Sequence, residues 1–143
     1  MHIHLYTSES TDQAIVLIRS INNARRYQDK ITIKTINSDD INFESNIEIN
    51  DLIILMISTH DDLDKLVDIK ENFINNSVII VLNENNEGII NKAYLLNPRF
   101  IDFIDGNYHR IAEIINRISA QRAKSTYLQR STHCACHQQG GSL

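Results

Sequence analysis

The apolar positions of this chain fall into short dense runs separated by polar punctuation. The densest is Leu52-Ile53-Ile54-Leu55-Met56-Ile57, entered through Asp51 and left through Ser58. It is too short to cross a bilayer, and an uninterrupted run of this length is the pattern of a strand buried on both faces. Such strands sit in the middle of a parallel sheet covered by helices, and chemistry then lies just past their carboxyl ends. Val78-Ile79-Ile80-Val81-Leu82 repeats the pattern. Residues 2–6, 30–36 and 100–104 read as three further strands. In 30–36, Ile31, Ile33 and Ile36 alternate with Thr32, Lys34 and Thr35, the period of a strand with one wetter face.

Helical spacing fills the intervals. Ser10-Thr11-Asp12-Gln13 reads as a capping box with Ser10 as N-cap, ahead of Ala14, Ile15, Val16, Leu17, Ile18 and Ile21. That helix ends near Asn22-Asn23 or at Ala24-Arg25-Arg26, where cations suit a helix C-terminus. In 37–50, Asp39, Asp40, Ile41, Phe43 and Ile47 fit a short irregular helix. Leu63, Leu66, Val67, Ile69 and Phe73 predict a third helix. Ile89, Ile90, Ala93, Leu95 and Leu96 predict a fourth, stopped by Asn97-Pro98 because proline cannot continue a helix. After the turn Asp105-Gly106-Asn107, with Asn107 as cap, Ile111, Ile114, Ile115 and Ile118 form the stripe of a last helix. Strands alternating with helices predict βαβ units: an α/β three-layer sandwich, one five-stranded parallel sheet between two helical layers.

Composition narrows the function classes. With 143 residues the chain holds one domain with a real core. A net charge of −4 and no basic patch argue against direct nucleic-acid binding. No stretch has the length of a membrane span, and Met1-His2-Ile3-His4-Leu5 lacks the features of a signal peptide. Cys134 and Cys136, the two cysteines, make no disulfide framework, so a cytoplasmic setting is expected. From about Gln121 onward the chain turns polar, giving a domain over 1–120 and a helix extension and tail over 121–143. Ile111, Ile114, Ile118, Gln121, Ser125 and Leu128 recur at coiled-coil steps, but the second half is too polar for a strong seam.

The spacing of the strands resembles the response-regulator receiver domain, the flavodoxin-like phospho-acceptor module of two-component signalling. Asp51-Leu52-Ile53-Ile54-Leu55, Val78-Ile79-Ile80-Val81-Leu82 and Phe103-Ile104-Asp105 carry the likeness, over about residues 1–120. The resemblance implies strand order 2-1-3-4-5. It also implies an acidic pair after the first strand for Mg²⁺, an aspartate ending the third, a hydroxyl after the fourth and a lysine after the fifth. In this chain the acidic pair falls on Thr7-Ser8, with Glu9 beyond. The nucleophile falls on Met56, the hydroxyl on Asn83 and the lysine on Asp105. A thioether cannot accept a phosphoryl group, hydroxyls are poor Mg²⁺ ligands, and an aspartate repels a phosphate. The chain thus resembles a degenerate pseudo-receiver: a non-enzymatic regulatory module of bacterial signalling or transcription, with no cofactor. Its expected partner is a protein, an output domain or a second copy of itself. The face such domains use would carry Tyr94, Phe103, Tyr108 and Ile111.

Other clusters point elsewhere. His133-Cys134-Ala135-Cys136-His137 offers His133, Cys134, Cys136 and His137 as soft metal donors. That supplies the alternative reading, a metal- or redox-responsive module, although the spacing is tighter than structural zinc sites use and a flexible tail is the favoured expectation. His2 and His4 share a strand face; a metal pair is conceivable there, and a half-exposed first strand is the stronger expectation. His60, with Asp61, Asp62 and Asp64, is expected at a helix start capped by the acids. Glu9, Glu84 and Asp105 could meet at one sheet edge. No Gly-rich phosphate loop and no Gly-x-Ser-x-Gly elbow is present.

Overall fold

In the computed structural model, residues 2–7, 11–24, 30–35, 47–104 and 108–121 are described. In chain order they form β1 (His2–Thr7), α1 (Thr11–Ala24), β2 (Lys30–Thr35), β3 (Leu52–Ile57), α2 (His60–Asp68), β4 (Ser77–Leu82), α3 (Glu87–Ala93), β5 (Phe100–Phe103) and α4 (109–121). Single 3₁₀ turns over Lys70–Phe73 and Tyr94–Leu96 extend the segments after α2 and α3. The strands make one parallel sheet in the order β2-β1-β3-β4-β5. Fold class and strand order are therefore those the sequence implied. The helix expected over 37–50 lies largely outside the described residues, as do the caps Ser10 and Asn107 and the tail beyond 121.

Strand alternation sorts the core into two halves. Ile53, Leu55 and Ile57 of β3 and Val78, Ile80 and Leu82 of β4 face one layer, where Leu63 and Leu66 of α2, Phe73, Ile89 and Ala93 of α3, and Leu96 pack on them. Leu52, Ile54 and Met56, with Ile79 and Val81, face the other. Ala14, Leu17 and Ile21 of α1 and Ile111, Ile115 and Ile118 of α4 cover that side. Each fully buried Leu or Ile contributes about 1.5–3 kcal/mol by leaving water. A strand whose six side chains are all buried has to be central, as β3 is.

Local chemistry sets the helix ends. Thr59 is the N-cap of α2: its backbone is extended (φ −129°, ψ 154°) and its hydroxyl accepts from the Asp62 N–H at 3.2 Å. Asn86 caps α3 by accepting from the Gly88 N–H at 2.8 Å. Asn97 takes the left-handed conformation (φ 52°) that closes the Tyr94–Leu96 turn, and Pro98 follows it. Lys92 of α3 pairs with Asp64 of α2 across the layer.

One strand differs from expectation. The first strand was expected to be half-exposed, but β1 lies between β2 and β3, and five of its six residues are buried. The strand order forces this: an inner strand has helices on both faces. Its polar His4 tolerates burial because Asp51 bonds to it, and a partnered polar group is not expelled to water.

Candidate functional site

The carboxyl end of the sheet is where a receiver carries its chemistry. Thr7 ends β1 and pairs in register with Met56, and Met56 pairs with Val81. Thr7 is 3% exposed and Met56 2%. Met56 shares the α1/α4 side of the core with Ile54, Leu17 and Ile111. Met56, expected at the nucleophile position, is a packed core side chain with no ionisable group. Asn83 leaves β4 exposed to solvent, as does Glu84. Ser8, Glu9 and Asp105 lie outside the described residues, so the acidic cluster expected from Glu9, Glu84 and Asp105 has only Glu84 on view.

His60 is exposed at the first position of α2. The expected capping by acids gives way to Thr59, whose hydroxyl is one bond closer to its backbone and reaches the Asp62 N–H. Asp61 and Asp62 instead sit in the first turn, where carboxylates suit the helix dipole.

The interaction face needs correction. Tyr108 and Ile111 are wholly buried. Tyr108 packs in the α1/α4 core and its hydroxyl donates to Gln13 Oε1 at 2.8 Å. Ile111 belongs to the stripe that seats α4 on the sheet. Neither can meet a partner. Phe103 is partly buried against the α2/α3 core. Tyr94 is 61% exposed, and its neighbour Leu95, which sequence reasoning took for helix core, is 55% exposed. The turn from α3 into the 3₁₀ segment rotates Leu95 outward and leaves Leu96 to fill the core. His133, Cys134, Cys136 and His137 lie outside the described residues.

The opposite, amino-terminal edge carries a cluster that sequence reasoning did not assemble. Asp51, one residue before β3, accepts from three donors. The His2 N–H reaches Oδ1 at 3.1 Å, and the Glu48 N–H and His4 Nε2 reach Oδ2, each at 2.9 Å. Burial pushes the Asp51 carboxyl up, but the bonds from Glu48, His4 and His2 outweigh it and hold the pKa below its ordinary value. The His2 and His4 rings lie 4.0 Å apart, tilted by 31°, and His2 Nε2 meets the Thr32 hydroxyl. Asn76, just before β4, donates to the carbonyls of Glu48 and Asp51 at 2.8 and 3.0 Å, which fastens the turn. Two histidines at period two and a lone acid before the central run were the visible signals. The parallel pairing of β1 with β3, Ile3 opposite Leu52, was needed to bring them together.

No family model matches the chain, and no match was found among curated proteins. Solved structures do match. A response-regulator receiver domain from Rhodospirillum rubrum aligns with a TM-score of 0.58 at 18% identity, over 81% of this chain and 89% of that one. A LuxR-family DNA-binding response regulator from Staphylococcus aureus gives 0.57 at 18% identity, over 82% and 98%. A pilus assembly-related protein from Burkholderia pseudomallei gives 0.58 at 13% identity, over 85% and 91%. At such identities the likeness is one of fold: the chain has the flavodoxin-like architecture of response-regulator receiver domains.

Proposed function

We propose that this chain is a receiver-fold regulatory module that acts through protein contacts and is not switched by aspartyl phosphorylation. The observation that carries the reading is the burial of Met56 beside Thr7 at the end of the central strand. Aspartyl phosphorylation in a receiver needs an exposed carboxylate and a cation held by hard oxygen ligands. A thioether packed among Ile54, Leu17 and Ile111 supplies neither. The structures that share the fold include response regulators and a pilus assembly-related protein. The architecture therefore serves more than one kind of assembly, which suits a module whose output is contact. The surface assigned to that contact, with an output domain, another protein or a second copy, is the exposed 3₁₀ turn after α3 at Tyr94 and Leu95. No catalytic role is assigned to any residue.

Intact-mass measurement after incubation with acetyl phosphate and Mg²⁺ tests the reading. The expected spectrum contains the unmodified chain alone. A stable phosphoryl adduct on an aspartate or glutamate would overturn it.

A further inference from the structure

We propose that His2, His4 and Asp51 form a Zn²⁺ site at the amino-terminal edge of the sheet, remote from the strand ends where receivers work. One ring nitrogen of each histidine and one carboxylate oxygen of Asp51 lie within 4.8 Å of one another. Two imidazoles and a carboxylate are a zinc donor set, with metal–ligand bonds of about 2.0–2.2 Å. Tetrahedral ligation at that length brings donor atoms to roughly 3.4 Å apart. The His4–Asp51 pair at 2.9 Å is already near this spacing. The half-buried His2 supplies the third donor, within 4.8 Å of the other two.

His4 is 1% exposed, and Nε2 is its ring nitrogen that faces Asp51. A neutral imidazole with its proton on Nδ1 leaves that Nε2 lone pair to ligate. The supporting bonds are also of the kind that orient metal ligands. Thr32 meets His2, and the Glu48 N–H and the His2 N–H hold Asp51. Solvent reaches the cluster on the His2 side, because His4 and Asp51 are buried. Three protein donors leave a fourth position for water on that side. The ion would tie β1 to the turn before β3, so its occupancy would set the stability of the sheet's inner edge. The inference goes beyond the regulatory reading and does not depend on it.

The test uses the full chain with the tail donors removed by His133→Ala, Cys134→Ser, Cys136→Ser and His137→Ala. Zn²⁺ is titrated calorimetrically and against a chromogenic chelator, with melting followed in parallel. One Zn²⁺ per chain and a Tm that rises with zinc are expected. His2→Gln should weaken binding by at least ~10-fold, the scale on which even outer-sphere partners alter affinity. It should leave the zinc-free melting cooperative. Asp51→Asn and His4→Gln should weaken binding as well; where either fails to fold, His2→Gln decides. The proposal is overturned if the tail-substituted chain binds no zinc, or if His2→Gln binds it as tightly as the parent.

Discussion

Thr7 and Met56 stand side by side in neighbouring strands, in register and both buried, at the edge of the sheet where a receiver domain carries its acidic pair and its nucleophile. The consequence is energetic as well as chemical. Among the described residues, β1 and β3 end here in a hydroxyl and a thioether that are both buried. The end of β3 therefore contributes to holding α1 and α4 against the sheet.

Met56→Ala should cost about 2–5 kcal/mol, the range for truncating a buried large side chain. Met56→Leu conserves volume and should cost under about 1.5 kcal/mol. Urea unfolding measures both. Met56→Asp should destabilise at least as much as the alanine, because it buries a carboxylate among hydrocarbon. A Met56→Asp chain as stable as the parent would mean the strand end is open to solvent, against the packing described.

Acid stability should track Asp51. Its pKa lies below the ordinary value in the folded chain, so near that pH the unfolded chain binds more protons. The stabilisation is complete above the unfolded value, about 3.9, and is lost as pH falls from there through the folded pKa. Asp51→Asn should flatten this part of the stability–pH profile. Asp51→Ala should cost ~1–3 kcal/mol or more, since it leaves buried donors unmatched. Unfolding curves between neutral pH and pH 2 on the three chains decide the matter.

Tyr6 makes the complementary statement at alkaline pH. Burial pushes its phenol up to about 12. A raised pKa means the folded chain holds the proton more tightly, so stability is full below the unfolded value near 10 and falls as pH rises through 12. Ultraviolet titration of the parent against Tyr6→Phe should show one tyrosine missing from the late-ionising group and none from the early one.

Helix ends give a local check. Thr59→Ala should lose about 1 kcal/mol, the usual cost of removing a side-chain N-cap. Asn97→Gly should be neutral or slightly stabilising and Asn97→Ala destabilising, because only the first substitution relieves the left-handed backbone. Chemical denaturation of each variant reads the sign directly.

Much of the fold was legible in the chain because its signals are local. β3 and β4 are uninterrupted apolar runs with the bounds the pattern gives, and Asn97-Pro98 stops the segment after α3 where proline chemistry requires. What the pattern missed depended on pairing. His4 reads as a polar residue on a wet face until β1 is placed between β2 and β3 and Asp51 comes beside it. Tyr108 reads as surface by analogy with how such domains associate, yet it packs in the α1/α4 core; Ile111 reads both as surface and as part of the last helix's stripe, and the stripe is where it lies. Leu95 and Leu96 are adjacent and chemically alike, and only the tighter 3₁₀ turn decides which one is covered.

We propose that the carboxyl end of this sheet is not a phospho-acceptor site. Amide NMR spectra of the full chain with and without beryllofluoride and Mg²⁺ test it most directly, since this pair mimics an acyl phosphate where an aspartate and a cation site exist. The account predicts superimposable spectra. Saturable shifts centred on Thr7, Met56 and Asn83 would contradict it.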